Sequence, residues 1–66
     1  MQSNPIEAKV LEVDGVEPIK HSLKDKILYY DILVIYKDTY GVSKTVLRVE
    51  TEEEVNKIKP GFKFKH

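Results

Sequence analysis

From Lys26 to Lys37 the chain reads KILYYDILVIYK, and apolar residues run through it almost without a break. Its even positions are Leu28, Tyr30, Ile32, Val34 and Tyr36, all apolar. Its odd positions are Tyr29, Asp31, Leu33, Ile35 and Lys37, which turn polar toward both ends. The segment is too rich in β-branched and aromatic residues for a good helix, and side chains alternate across a strand. The pattern therefore predicts a strand over 27–37 with its even face in the core. The odd face would be covered only in the middle, which suits a barrel or a curled sheet.

The rest of the pattern falls around this strand. Ile6 to Val13, IEAKVLEV, alternates and is rich in branched residues, so it predicts a first strand. The doublet Val10-Leu11 breaks the alternation and points to a bulge or to partial cover on both faces. Asp14-Gly15 reads as a turn. Residues 16–26 keep no apolar period, so a long connection is expected there, with a short irregular strand around 17–21. Asp38-Thr39-Tyr40-Gly41 predicts a hairpin loop in which Gly41 takes a positive φ. Val42 to Glu50 then returns as the partner strand, with Thr45, Leu47 and Val49 inward and Lys44, Val46, Arg48 and Glu50 outward, or with the phase reversed.

Thr51 to Glu54, TEEE, has the spacing of a capping box and opens a short helix. Val55 and Ile58 share its inner face. Pro60-Gly61 stops it, and Phe62 to Lys65 closes the fold as a last strand with both rings on one side. A helix of one or two turns can plug one end of a sheet but cannot stand alone.

Composition narrows the class. Sixty-six residues make one domain, 1–66. A chain of this size buries only about 60% of its unfolded surface. It has no cysteine, which removes disulfides and thiolate zinc sites and fits a cytoplasmic location. Eleven basic residues balance eleven acidic ones, which weighs against a strongly cationic nucleic-acid binder. No apolar run is long enough to span a bilayer, so no membrane association is expected. MQSNP lacks the order of a signal peptide. The acids of 51–54 and the lysines of 56–66 complement a helix dipole, with a binding patch as the other reading.

From Tyr29 to Phe64 the segments YYDILVIYKDTYGVSKTVLRV, TEEEVNKI and Lys59-Pro60-Gly61-Phe62-Lys63-Phe64 follow one another. This order resembles a pattern found in small β-barrel domains of bacteria and their phages, many of them uncharacterised. In these a long hairpin leads to a polar short helix and a Gly-Asp-x-Val-like closing strand. The resemblance implies a barrel of the SH3-like or OB-like kind, and a phage or mobile-element accessory role, but no particular activity. Phe62 stands where an acidic residue is usual, which would place a ring near the rim as a plug or as a contact.

Candidate chemistry is sparse. His21 lies four residues before Asp25, a spacing that would join them on a helix face, but no third partner is visible for a triad. His66 is the last residue and reads as a mobile terminus or the stub of a tag. No metal-binding pattern and no phosphate-cradling glycine motif occurs, so neither metal nor cofactor is expected. Single-strand binders set rings and cations on one sheet face, and Tyr29, Lys37, Tyr40, Lys44 and Arg48 could form such a face. Asp31 and Glu50 share it, and Tyr29 and Lys37 would stand roughly 26 Å apart. Leu33 and Ile35, if uncovered, would instead make an apolar partner surface or a homodimer contact. An open edge at 42–50 or 62–65 could accept another strand, although Lys63 and Lys65 also read as protection.

The sequence thus leads to an all-β domain with one short helix, a four- or five-stranded curled sheet or barrel. Its leading function is non-catalytic protein interaction. The alternatives are a nucleic-acid-binding barrel and, third, an enzyme using His21 and Asp25. Tyr30 and Tyr36 are expected in the core, with Tyr29 and Tyr40 exposed or at an edge.

Overall fold

The computed structural model describes residues 6–65; the expectations for MQSNP and His66 fall outside them. Four strands form one antiparallel sheet: β1 (Glu7–Lys20), β2 (Ile27–Asp38), β3 (Gly41–Val49) and β4 (Lys63–Lys65), with α1 (Glu52–Lys57) between the last two. The order across the sheet is β3-β2-β1-β4, so β3 and β4 lie at opposite edges and the sheet is not closed. Of the two forms expected, the open curled sheet is the one adopted.

β2 behaves as its pattern predicts. Ile32 and Val34 are fully buried and Tyr36 nearly so. Tyr36 meets Phe64 edge to face, with ring centroids 5.4 Å apart. Tyr30, expected in the core, is only half-buried and stands outside the core cluster; Tyr29 is half-buried as well, and Tyr40 is exposed at the hairpin tip. Leu28 departs from the expectation. It falls at a register shift near the end of β2, past the covered core, and is 47% exposed.

β1 is the main correction. Asp14-Gly15 is not a turn, and 16–26 is not one long connection; the short irregular strand expected around 17–21 is present as the end of β1. The strand continues to Lys20, and only 21–26 form the loop. The valines at 10, 13 and 16 lie three apart, which a regular strand would send to alternating faces. The register skips Leu11 and Asp14, so Val10, Val13 and Val16 face Tyr36, Val34 and Ile32 in turn. Each bulge inserts one residue and returns the next valine to the core face. The Val10-Leu11 doublet marks the first bulge, as its broken alternation suggests.

One face of the sheet is covered. Thr51 caps α1: its hydroxyl accepts from the Glu54 N–H at 3.2 Å and donates to the Glu54 carboxylate at 3.1 Å. Val55 and Ile58 then pack onto the cluster of Val10, Ile32 and Val34. Pro60 and Gly61 occupy the centre of a tight turn closed by the Phe62 N–H on the Lys59 carbonyl at 2.9 Å. Gly61 takes the positive φ (+99°) that such a turn requires of its third residue. The Gly61 N–H donates to the Val10 carbonyl, and the Val10 N–H to the Phe62 carbonyl, both at 2.8 Å, which fixes the turn to β1. Phe62 and Phe64 pack against the same core side. The molecule measures 42 × 30 × 18 Å, the thickness of a sheet with a single layer upon it.

Candidate functional site

The other face of the sheet has no layer over it among the described residues. Residues directly opposite on paired strands share a face, so the register lays this surface out in rows. Lys63, Lys9, Lys37 and Val42 stand abreast across all four strands. Glu12, Ile35 and Lys44 form the next row, then Gly15, Leu33 and Val46, then Glu17, Asp31 and Arg48. The face therefore runs from a basic end, through an aliphatic middle, to a charged and aromatic end.

The middle holds a depression of about 200 Å³ lined by Asp14, Leu33, Ile35, Lys44 and Val46 among others. Leu33 is 40% and Val46 51% exposed, facing each other across β2 and β3. Gly15 stands beside Leu33 with no side chain to fill the space, and a Cβ there would meet nothing within 4 Å. Lys44 and Asp14, both exposed, put opposite charges on its lining.

At the far end the groups are already engaged with one another. The Arg48 Nε donates to the Asp31 carboxylate at 3.0 Å. Its guanidinium carbon lies 4.0 Å from the centroid of the Tyr29 ring. The Asp31 hydrogen bond raises the Arg48 pKa above its already alkaline ordinary value, with the Asp31 charge adding to it and partial desolvation opposing. The guanidinium occupies one side of the tyrosine ring, where a base or another ring would otherwise stack.

Of the residues singled out from sequence, Tyr29, Lys37, Lys44 and Arg48 do share this face, and Tyr40 projects from the hairpin beside its basic end. There the Tyr40 N–H is held by the Asp38 carboxylate at 2.8 Å. Phe62 is on the opposite side, half-buried against the core. His21 and Asp25 sit in the β1–β2 loop, not on a helix. The His21 Nδ1 accepts the Leu23 N–H at 3.1 Å, and the Asp25 carboxylate lies 3.6 Å from the Lys20 ammonium. The two are joined only through backbone, the Asp25 N–H donating to the His21 carbonyl at 3.2 Å, while their side chains bond elsewhere. No group of three or more His, Cys, Asp or Glu side chains suited to a metal occurs among the described residues.

Sequence reading missed Lys9, Lys63, Gly15 and Val46 as site residues. Lys9 and Lys63 join Lys37 only through strand register. Gly15 was hidden by its reading as a turn. The helix-dipole account of the C-terminal lysines holds for Lys57, which lies in the last turn of α1, whereas Lys63 belongs to the basic row. Comparison of the chain with protein-family models, with curated proteins and with solved structures gives no match in any of the three.

Proposed function

We propose that the chain is a non-catalytic protein-interaction module that receives its partner on the uncovered face of the sheet. The aliphatic depression around Leu33 carries this reading. A domain of this size has few apolar side chains to spare from its core, yet Leu33 and Val46 are placed together outside it. An apolar patch with charged residues beside it is the usual form of a partner surface. Its volume, about 200 Å³, is below the roughly 300–1,000 Å³ of small-molecule sites. It suits one apolar side chain projecting from another protein. The test compares proteins retained by the immobilised native chain, by Leu33→Lys and by Leu23→Lys. Leu23 is 88% exposed in the β1–β2 loop, away from the depression. The expected result is a partner held by the native chain and by the loop variant and lost from Leu33→Lys. Equal retention by all three removes the face from the function.

The lysine row favours a second reading, contact with a nucleic-acid backbone. Like charges directly opposite one another destabilise a sheet, and Lys9 and Lys37 are paired in this way with Lys63 beside them. Among the described residues, only Lys63 of the three has an ion-pair partner, Glu7 at 3.9 Å. The aromatic side of this reading is weak, because Tyr29 lies at the other end and is capped by Arg48. Titration of a labelled single-stranded oligonucleotide at two salt concentrations decides it. Backbone contact predicts affinity that falls steeply with salt and with Lys9→Glu; no salt-dependent binding eliminates it.

A further inference from the structure

An unclosed sheet leaves backbone N–H and C=O groups along its edges, ready to pair with another chain. Among the described residues three such stretches exist: the outer side of β4, the far side of β1 beyond its pairing with β4, and the outer side of β3. Two of them carry features that block pairing. β4 is only three residues long and has a lysine at each end. The free part of β1 is interrupted by the skipped residues Leu11 and Asp14 and contains Pro18, which lacks an N–H. β3 has neither. It is nine residues long, has no proline, and pairs with β2 in an unbroken register. Its Arg48 is drawn back over β2 by Asp31 and Tyr29, away from the free edge.

We propose that β3 pairs antiparallel with β3 of a second copy of this chain, about a two-fold axis at Leu47, to give one continuous eight-stranded sheet. Charge selects the register. Opposite charges facing across strands stabilise a pair and like charges destabilise it. Centring the axis on Val46 sets Lys44 against Arg48 of the second copy, and centring on Arg48 sets that residue against itself. Centring on Thr45 leaves every charge facing a neutral side chain. Centring on Leu47 pairs 45–49 with 45–49 and brings Lys44 beside Glu50 of the second copy, the bend residue that directly follows β3, twice by symmetry. Lys44 and Glu50 are both exposed, and neither belongs to an ion pair within the chain among the described residues. On the covered side the same register joins Leu47 to Leu47 and Thr45 to Val49. These residues are half-buried in the single chain, so pairing extends the core across the axis.

The pairing is independent of what binds the open face. Sedimentation equilibrium of the full chain at low salt, from micromolar to millimolar concentration, should show a reversible monomer–dimer equilibrium. Lys44→Glu and Glu50→Lys should each weaken the dimer about tenfold, since each converts two favourable pairs into like-charge pairs. The double variant should return to within about threefold of the native chain, the coupling expected of residues in direct contact. Amide exchange should also slow with concentration at alternate β3 positions. A monomer at every concentration overturns the proposal. So does a dimer that ignores both charge reversals and is lost instead in Leu33→Lys, because that places the contact on the face.

Discussion

Gly15 and Gly61 are both glycines of short punctuated segments, and their roles are opposite. Gly61 has φ +99° in the turn that follows α1, a geometry L side chains rarely adopt, although a Cβ there meets no atom within 4 Å. Its cost of replacement is therefore a backbone cost. Gly61→Ala should lose about 1–2 kcal/mol in urea unfolding. Gly15 lies in β1 without a positive φ and with open space around it. Gly15→Ala should gain about 0.4–1 kcal/mol, by restricting the unfolded chain. A loss at Gly15 comparable to that at Gly61 would show that the bulge itself requires glycine. Arg48 adds a linkage statement. Its pKa is raised by Asp31, so its contribution is complete below its ordinary alkaline pKa. That contribution is lost only as pH rises through the still higher folded value. Arg48 therefore gives no pH dependence near neutrality.

At the level of elements, the six residues of α1 are too few to hold a helix alone. The helix depends on its cap and on one deeply placed side chain. Thr51→Ala should cost about 1 kcal/mol through the lost cap. Ile58 is 7% exposed and joins Val10, Ile32 and Val34 in the core cluster. Ile58→Ala should cost about 2–5 kcal/mol and release the helix with the turn behind it. Hydrogen exchange would show this as faster exchange over 52–62 before the β1–β2 ladder opens. Exchange that accelerates uniformly would mean that helix and sheet unfold as one unit. Much at this level was legible: the cap and the hairpin loop follow from residue type and spacing, whereas the phase of β3, open in the sequence, is decided by its register with β2. β1 was not, because Asp14-Gly15 has the composition of a turn. Only pairing with β2 makes it a bulge.

The whole molecule is a single sheet with one face covered, and its stability rests on very few side chains. Six hydrophobic residues are buried among the described residues: Ala8, Val10, Ile32, Val34, Tyr36 and Ile58. Domains have total stabilities of only about 5–15 kcal/mol, and small ones sit at the low end. Ile32→Ala, at the fully buried centre of β2, should cost about 2–5 kcal/mol and leave the chain largely unfolded at ordinary temperature. Loss of the sheet signal in circular dichroism is the readout, and a cooperative native-like melt would show that the core is supported from elsewhere. Self-pairing through β3 would lend such a domain stability that rises with protein concentration.

The sequence by itself determined the strands β2, β3 and β4, which face of β2 turns inward, and where the helix starts and stops. Those follow from local periodicity, capping and turn chemistry, which act over a few residues. Tertiary structure alone decided that the sheet stays open, that two bulges keep three valines on one side of β1, and that Lys9 and Lys63 stand beside Lys37. Each depends on register between strands distant in the chain. Register is set by the sum of all cross-strand contacts, and no short window of residues contains it.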